Sequence, residues 1–320
     1  MDSTKTKPPE PGIYPGVSFE DYVSWDAINN SVLKELREKT PAHALQYMSE
    51  PPDTAALRVG HALHTLVLEP ESFAGRYAVR PVCDRRTKAG KAVYEQFTES
   101  LNGKTELTEP EFADIQAMAG KLRKKRFTCN WIEKGQAEVC IVWRDPKTDL
   151  LCKARLDYYQ KSLGAIIDLK TTRNTAGQRD VERAIANFGY HQQAAWYSDG
   201  LAAITGSQPD YVFFFLEKKP PYECRAWQAD HETIIAGRKM YRRAMDTYAQ
   251  CVQTGEWHGW PDTVDMITLP NWALQEAGVG KYNLITREDE NGNENEGQQI
   301  DWDQLGREAR EQELAEGRIQ

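Results

Sequence analysis

Between residues 136 and 171 the hydrophobic period of this chain shortens to two, and each of three consecutive strand-like runs carries charge. Gln136 to Trp143 alternates and is interrupted by Glu138. Asp145-Pro146-Lys147-Thr148-Asp149 reads as a turn. Leu151 to Tyr159 follows, with Lys153, Arg155 and Asp157 on one face and Cys152, Ala154 and Leu156 on the other. Ala165 to Thr171 then sets Ile167 and Leu169 against Ile166, Asp168 and Lys170. Ions within strands are costly unless paired or put to use. The chemistry of this chain is therefore sought here first.

Around these strands the pattern is helical. Ser31 is a candidate cap for a short helix to about Arg37, and Thr40-Pro41 for a second, with Pro at the first helical position. Over 54–68, Ala56, Gly60, Leu63 and Val67 mark one packed face, and His61 and His64 share a neighbouring one. Thr108-Glu109-Pro110-Glu111 is a capping box that opens a helix over 109–126. Beyond the third strand the pattern predicts one helical stretch over 178–203. The run DYVFFFLE (210–217) predicts a buried strand, with a partner over 224–228 and a helix over 232–253. This order reads as an α/β (α+β) chain. It has a flexible lead at 1–12, one domain over 13–280 and an acidic tail at 281–320, disordered or partly helical.

The 320 residues carry 40 Lys and Arg against 48 Asp and Glu, a formal charge of −8 that by itself speaks against a polyanionic partner. The distribution changes that reading. Residues 281–320 hold five basic and eleven acidic groups, whereas 76–126 holds twelve basic and seven acidic, including Arg85, Arg86, Lys88 and Lys91. The run from Lys121 to Arg126 suits the C-terminal turn of its own helix, where cations meet the negative end of the dipole. No apolar run reaches the roughly 18–20 residues of a membrane helix. The polar, Pro-rich N-terminus is unlike a signal peptide. The 6 cysteines form no CxxC pair, which argues against a zinc or iron–sulfur site and suits a reducing cytoplasm.

If the second and third strands form a hairpin, Asp157 is brought beside Asp168 and Lys170. Carboxylates a few Å apart repel by about 4 kcal/mol at an effective dielectric near 20, and a divalent cation relieves that repulsion. Mg²⁺ prefers oxygen ligands and suits a two-carboxylate site. A lysine beside such an ion can orient an attacking water or neutralise charge on a phosphoryl group. Glu138 could supply a third carboxylate or belong to a solvated edge. Gln193 and Tyr197 share one face of the next helix. Taken singly, each of these residues also fits an ordinary surface hairpin or helix.

The ordered set is more specific. Gly60-His61-Ala62-Leu63-His64, Glu138, Asp157, Asp168-Leu169-Lys170 and Gln193-Ala194-Ala195-Trp196-Tyr197 resemble the PD-(D/E)xK nucleases with a RecB-type motif. More closely, the chain resembles the exonuclease VIII (RecE) nuclease-domain family of phages and prophages. The shared stretches include VGHALHTLVLEPESFAGRYAV, LLCKARLD, IIDLKTT, YHQQAAWYSDG and Leu269-Pro270-Asn271-Trp272-Ala273, and they span about 11–275. One departure is Leu156, where the motif's name has Pro.

The resemblance implies a restriction-endonuclease-like core, a central mixed sheet flanked by helices, with a RecB-type motif helix. It assigns Asp157, Asp168 and Lys170 to the catalytic core, and Asp157, Asp168, the Leu169 carbonyl and His64 to the metal. Glu138 is then the acidic residue on the preceding strand, and Gln193 with Tyr197 steadies the site. The implied activity is Mg²⁺-dependent 5′→3′ digestion of double-stranded DNA ends, with Mn²⁺ able to substitute, by in-line attack of water. The implied setting is the bacterial cytoplasm, with a homo-oligomeric ring around DNA and a RecT-like annealing protein that takes the 3′ strand. Arg85, Arg86, Lys88 and Lys91 become candidates for phosphate contact. The alternatives are a PD-(D/E)xK endonuclease and a non-catalytic DNA-binding recombination scaffold.

Overall fold

The three charged strands form one sheet, as their alternation predicts. In this computed structural model residues 5–52, 54–126, 128 and 135–278 are described, and the acidic tail expected at 281–320 lies outside them. The chain divides after Trp260 into two units. In the first, strands β1 (Gly12–Tyr14), β4 (Gln136–Arg144), β5 (Leu151–Gln160), β6 (Ala165–Thr172), β7 (Asp210–Glu217) and β8 (Cys224–Gln228) lie in that spatial order. β2 (Tyr77–Val79) and β3 (Thr105–Leu107) form a separate parallel pair. β4, β5 and β6 are antiparallel, β6 and β7 parallel, and β7 and β8 antiparallel, so the sheet is mixed as expected.

The Asp145 turn folds as read. Its carboxylate accepts the Thr148 amide at 2.9 Å and the Thr148 hydroxyl at 2.8 Å, which closes β4 onto β5. β7 is apolar throughout because both of its faces are covered. Phe213 and Phe215 join the core on one side, and Val212, Phe214 and Leu216 the core on the other. Full burial of each such side chain stabilises the fold by about 1.5–3 kcal/mol.

The first face is packed by α2 (Asn30–Glu38), α9 (Tyr190–Thr205) and α10 (His231–Thr254), and the second by α4 (Ala55–Leu68) and α7 (Glu109–Arg123). Other helices of this unit are α1 (Phe19–Ser24), α3 (Pro41–Ser49), α5 (Pro70–Arg76), α6 (Lys88–Ser100) and α8 (Gln178–Phe188). The described part of the second unit contains α11 (Asn271–Glu276). No helix among the described residues is long and apolar enough to cross a membrane.

Several local expectations change. Asn29, not Ser31, caps α2, its side chain accepting the Val32 amide at 3.0 Å. Thr40 precedes Pro41 as expected, but its hydroxyl bonds the His43 ring at 2.7 Å instead of capping. In α4, Leu63 and Val67 are buried, whereas Ala56 is exposed in the first turn. The capping box at Thr108 forms, and α7 ends at Arg123. Lys121 and Lys125 both pair with Glu223, and Arg123 donates to the Leu66 carbonyl, so three of the five cations of that basic run are engaged with the protein itself. The stretch over 178–203 is two helices, because Gly189 turns left-handed at φ 68°. A Cβ there would also stand 2.2 Å from the Arg37 guanidinium. The lead is bonded from Thr6 onward, its amide reaching Ser24 O and its carbonyl accepting from Asp26, both at 2.8 Å.

Lys153 explains how α1 is fixed to the sheet. Its buried ammonium donates to the carbonyls of Tyr22 (2.7 Å), Val23 (3.2 Å) and Trp25 (2.7 Å), where the last turn of α1 lacks intrahelical donors. Lys153→Met keeps much of the bulk but orphans the Tyr22 carbonyl, whereas those of Val23 and Trp25 keep the Lys5 ammonium and the Ala27 amide. A buried unsatisfied group costs about 1–3 kcal/mol, so a loss on that scale is expected in urea unfolding, and an unchanged midpoint would disprove this role.

Candidate active site

The register places three acids in one row across the sheet. Ala137 pairs with Tyr158 and Val139 with Leu156, which sets Glu138 of β4 opposite Asp157 of β5. Tyr158 opposite Ile167 is the last rung joining β5 to β6, so Asp157 and Asp168 face each other at the first position where these strands part. The strict alternation read from the sequence also breaks in this row. Ala137 packs on one face and Val139, two residues on, in the opposite core. Leu156 and Tyr158 are split in the same way. A regular strand would keep each pair on one side. Glu138 takes up the turn-over with a left-handed φ of 52°. For a non-glycine residue that conformation costs on the order of 1 kcal/mol or more.

The opening between β5 and β6 is filled with polar contacts. Asp157 Oδ2 accepts the Leu169 amide at 2.8 Å, replacing the missing ladder bond. From α4, His64 Nε2 bonds the Leu169 carbonyl at 3.0 Å. A carbonyl only accepts, so Nε2 carries the proton, and Nδ1 lies 3.5 Å from Asp157 Oδ2. From α9, Gln193 bridges the two key groups of β6. Its Nε2 donates to Asp168 Oδ1 at 3.0 Å, and its Oε1 accepts from Lys170 Nζ at 3.1 Å. Lys170 Nζ also stands 2.7 Å from Asp168 Oδ2 and 4.8 Å from the Tyr190 ring centroid. Tyr197 lies half-buried one turn after Gln193, its ring 6.5 Å from that of Tyr211. The structure thus brings Glu138, Asp157, Asp168, Lys170, His64, Leu169 and Gln193 together, with Tyr197 behind them.

Burial and mutual repulsion set the protonation of this row. Burial raises the Asp168 carboxyl to about 6, with Asp157 adding to the shift. Asp157 is raised chiefly by burial, and Glu138 by burial and then by Asp157. Burial pulls Lys170 down, but the Asp168 and Asp157 carboxylates outweigh it and hold the ammonium charged. Burial lowers His64, which is consistent with a neutral ring. The Tyr197 phenol is pushed well above its ordinary range by burial and by neighbouring Tyr22, Asp157 and Asp168, so it stays protonated.

Among the described residues no group of three or more His, Cys, Asp or Glu side chains stands as a ready metal cage. The carboxylates are engaged with the protein instead, yet one observation fits a hard cation. Asp168 Oδ2 is fully buried and receives no hydrogen bond, because Lys170 Nζ, though within ion-pair distance, is out of line. A buried carboxylate oxygen left in this way, beside a second carboxylate and a carbonyl oxygen, is an oxygen donor set suited to Mg²⁺ or Mn²⁺.

Sequence reasoning missed Arg155. It lies between Lys153 and Asp157 in the alternation, and its Nε holds Glu138 Oε2 at 2.5 Å while its guanidinium also reaches Val17 O at 2.9 Å. Glu138 is therefore neither a free third ligand nor a solvated edge residue. Tyr190, three residues before Gln193, was legible by helical spacing. The four basic candidates lie elsewhere. Arg85 stacks over Tyr94 at 4.0 Å, Arg86 pairs with Asp84 at 3.0 Å, and Lys88 and Lys91 are exposed on the first turn of α6. No described hydrogen bond or ion pair links them to the acidic row.

A family described as a PDDEXK-like domain of unknown function (DUF3799) matches residues 29–270. A crystal structure from Eubacterium rectale, described as a "Putative exonuclease", superposes with a TM-score of 0.57 at 14% identity, covering 81% of this chain and 97% of that one. At that identity the likeness is one of fold. No curated protein matches the chain's sequence.

The raised Asp168 carboxyl gives a prediction that does not involve turnover. Its folded pKa of about 6 lies above the unfolded value, so its contribution to stability is full below the ordinary carboxylate range and is lost as pH rises through about 6. A cation that binds the ionised row restores it. Mg²⁺ should therefore raise the melting temperature more at pH 8 than at pH 5, and Asp168→Asn should abolish the difference. An equal shift at both pH values, or one that survives in the variant, would place the ion elsewhere.

Proposed function

The chain belongs to the PDDEXK-like domain family, and on that premise we propose that it is a divalent-metal-dependent exonuclease acting on the ends of double-stranded DNA. The observation that carries the reading is the row Glu138, Asp157 and Asp168 with Lys170, set where β5 and β6 part. Where the strands part, side-chain contacts replace the ladder, so two carboxylates, the Leu169 carbonyl and Lys170 meet at one point.

Asp157, Asp168 and the Leu169 carbonyl would hold the ion. When bound, it would lower the pKa of water and neutralise charge building on the phosphoryl oxygens. The remaining chemistry falls to the chain's own groups. Lys170, charged and held by Gln193, directs an ammonium N–H at the attacking water or at a non-bridging oxygen. Gln193 spans Asp168 and Lys170, so the two cannot turn independently. His64 fixes the direction of the Leu169 carbonyl. Arg155 holds Glu138 at the edge of the row and tempers its repulsion of Asp157.

The finer parts of this reading extend the sequence resemblance. They are Mg²⁺ as the preferred ion, 5′→3′ polarity, a ring of identical subunits enclosing DNA, and a RecT-like annealing partner in a phage- or prophage-carrying bacterial cytoplasm. A ring would keep the acidic row on one strand through many cuts, and a 3′ single strand is the substrate an annealing protein needs.

Digestion of an end-labelled linear duplex with Mg²⁺, beside a covalently closed circle of the same sequence, tests the proposal. The linear duplex should be degraded and the circle spared. Asp168→Ala and Lys170→Ala should each lower the rate by at least about a hundredfold, the scale for losing one preorganised charged group at a reacting centre. Cleavage of the closed circle would make the protein an endonuclease, and binding without cleavage would make it a recombination scaffold. Full activity in either variant would remove the assigned site.

A further inference from the structure

A second polar feature lies beyond the acidic row, where the parallel strands β6 and β7 both end. In open α/β sheets the carboxyl ends of parallel strands are where ligands are received. Here the residues that follow β6 and β7 line a cleft of about 530 Å³, including Arg173, Arg183 and Lys219 together with Asp180 and Glu217. All three cations are exposed.

The cleft sets three cations against two carboxylates, a surplus of one positive charge, and the Arg183 charge acts on Asp180. The two carboxylates are committed to holding the loop. Asp180 accepts from the Thr175 amide (3.1 Å) and hydroxyl (2.7 Å), and Glu217 accepts the Ala176 amide at 2.8 Å. Among the described residues, none of the three cations has a carboxylate within ion-pair distance. Neighbouring Lys218 is pulled below the ordinary lysine range by burial and then by the Arg173 charge, as expected where cations crowd one another. Close by, α8 starts at Gly177, which offers no side-chain cap to the helix amides. Exposed cations clustered with a positive surplus are the electrostatic footprint of a bound polyanion.

Position relates this cleft to the chemistry. Arg173 stands just past the end of β6 and three residues after Lys170, at most about 10 Å along the chain at ~3.3 Å per residue. That is about three nucleotides of one DNA strand, at ~3.4 Å of axial rise each. The basic loop at residues 85–91 is less suited to this task, since Arg86 is already neutralised by Asp84.

We infer that this cleft holds the backbone phosphates of the DNA strand being cut, a few nucleotides from the scissile bond, through Arg173, Arg183 and Lys219. The inference rests on the nuclease function proposed above and adds to it the track along which the strand lies. Contacts of this kind carry no base information and set position and salt dependence.

The test is equilibrium binding of an end-labelled linear duplex over a range of salt concentrations, with Ca²⁺ replacing Mg²⁺ to hold off cleavage. The triple variant R173Q/R183Q/K219Q is compared with the unmodified protein, each checked by thermal melting. Each lost phosphate contact reduces the slope of log K against log salt by roughly 0.9. The triple variant should therefore lose about two to three units of slope and at least about tenfold in affinity. K219Q alone changes one exposed side chain with no described bond and should lose about one unit, so the test survives if the triple variant folds poorly. Unmodified protein that cleaves DNA while both variants keep its slope would overturn the cleft and leave the nuclease reading standing. Unmodified protein that neither binds nor cleaves DNA would overturn both.

Discussion

The structure depends on a row of carboxylates held in the middle of a sheet that must otherwise exclude charge. Glu138, Asp157 and Asp168 come from three neighbouring strands and are brought together by register. Like charges at such spacing repel by several kcal/mol unless neutralised. The protein answers each charge separately. Arg155 takes Glu138, the Leu169 amide takes Asp157, and Lys170 with Gln193 takes Asp168. These answers are incomplete, because Asp168 Oδ2 keeps no hydrogen bond and all three carboxyls are raised. A site that stores unrelieved charge in this way is poised for a cation.

The rest of the fold serves to keep that row free of ladder pairing. Continued pairing of β5 with β6 would close it, yet the ladder stops at Tyr158 and Ile167. The faces of β4 and β5 exchange at the same row, and the left-handed backbone of Glu138 absorbs the change. One helix on each side then reaches the row with a hydrogen-bonding side chain. α4 supplies His64 and α9 supplies Gln193. The break at Gly189, with Arg37 packed where a side chain would stand, lets α9 begin at the angle that delivers Gln193. Lys153 fixes α1 on the outer side through three carbonyls and takes no part in the acid row, although the sequence alternation alone gave it the same standing as Asp157.

Local errors in reading the sequence have a common cause. Ser31 and Asn29 are both acceptable caps, and only the start of the packed face chose between them. The 178–203 stretch is helical on both sides of one glycine, so its period alone could not show a break. Arg155 was visible as a charge in a strand, but its partner Glu138 is 17 residues away and was found only by register. The cleft beyond β6 and β7 joins residues from two separate segments, and no spacing rule connects Arg173 with Lys219.

The sequence by itself determined strands β4 to β8, the turn at Asp145 and the capping box at Thr108. Each of these follows from short-range rules, namely side-chain period, cap chemistry and residue type along a few neighbouring positions. Only the tertiary structure decided that β5 and β6 part at Asp157 and Asp168, that Glu138 is held by Arg155, and that Asp168 Oδ2 meets the Lys170 ammonium out of hydrogen-bond line. Those facts depend on register, strand twist and burial across segments far apart in the chain. They decide which charges are balanced by the protein and which remain for a ligand.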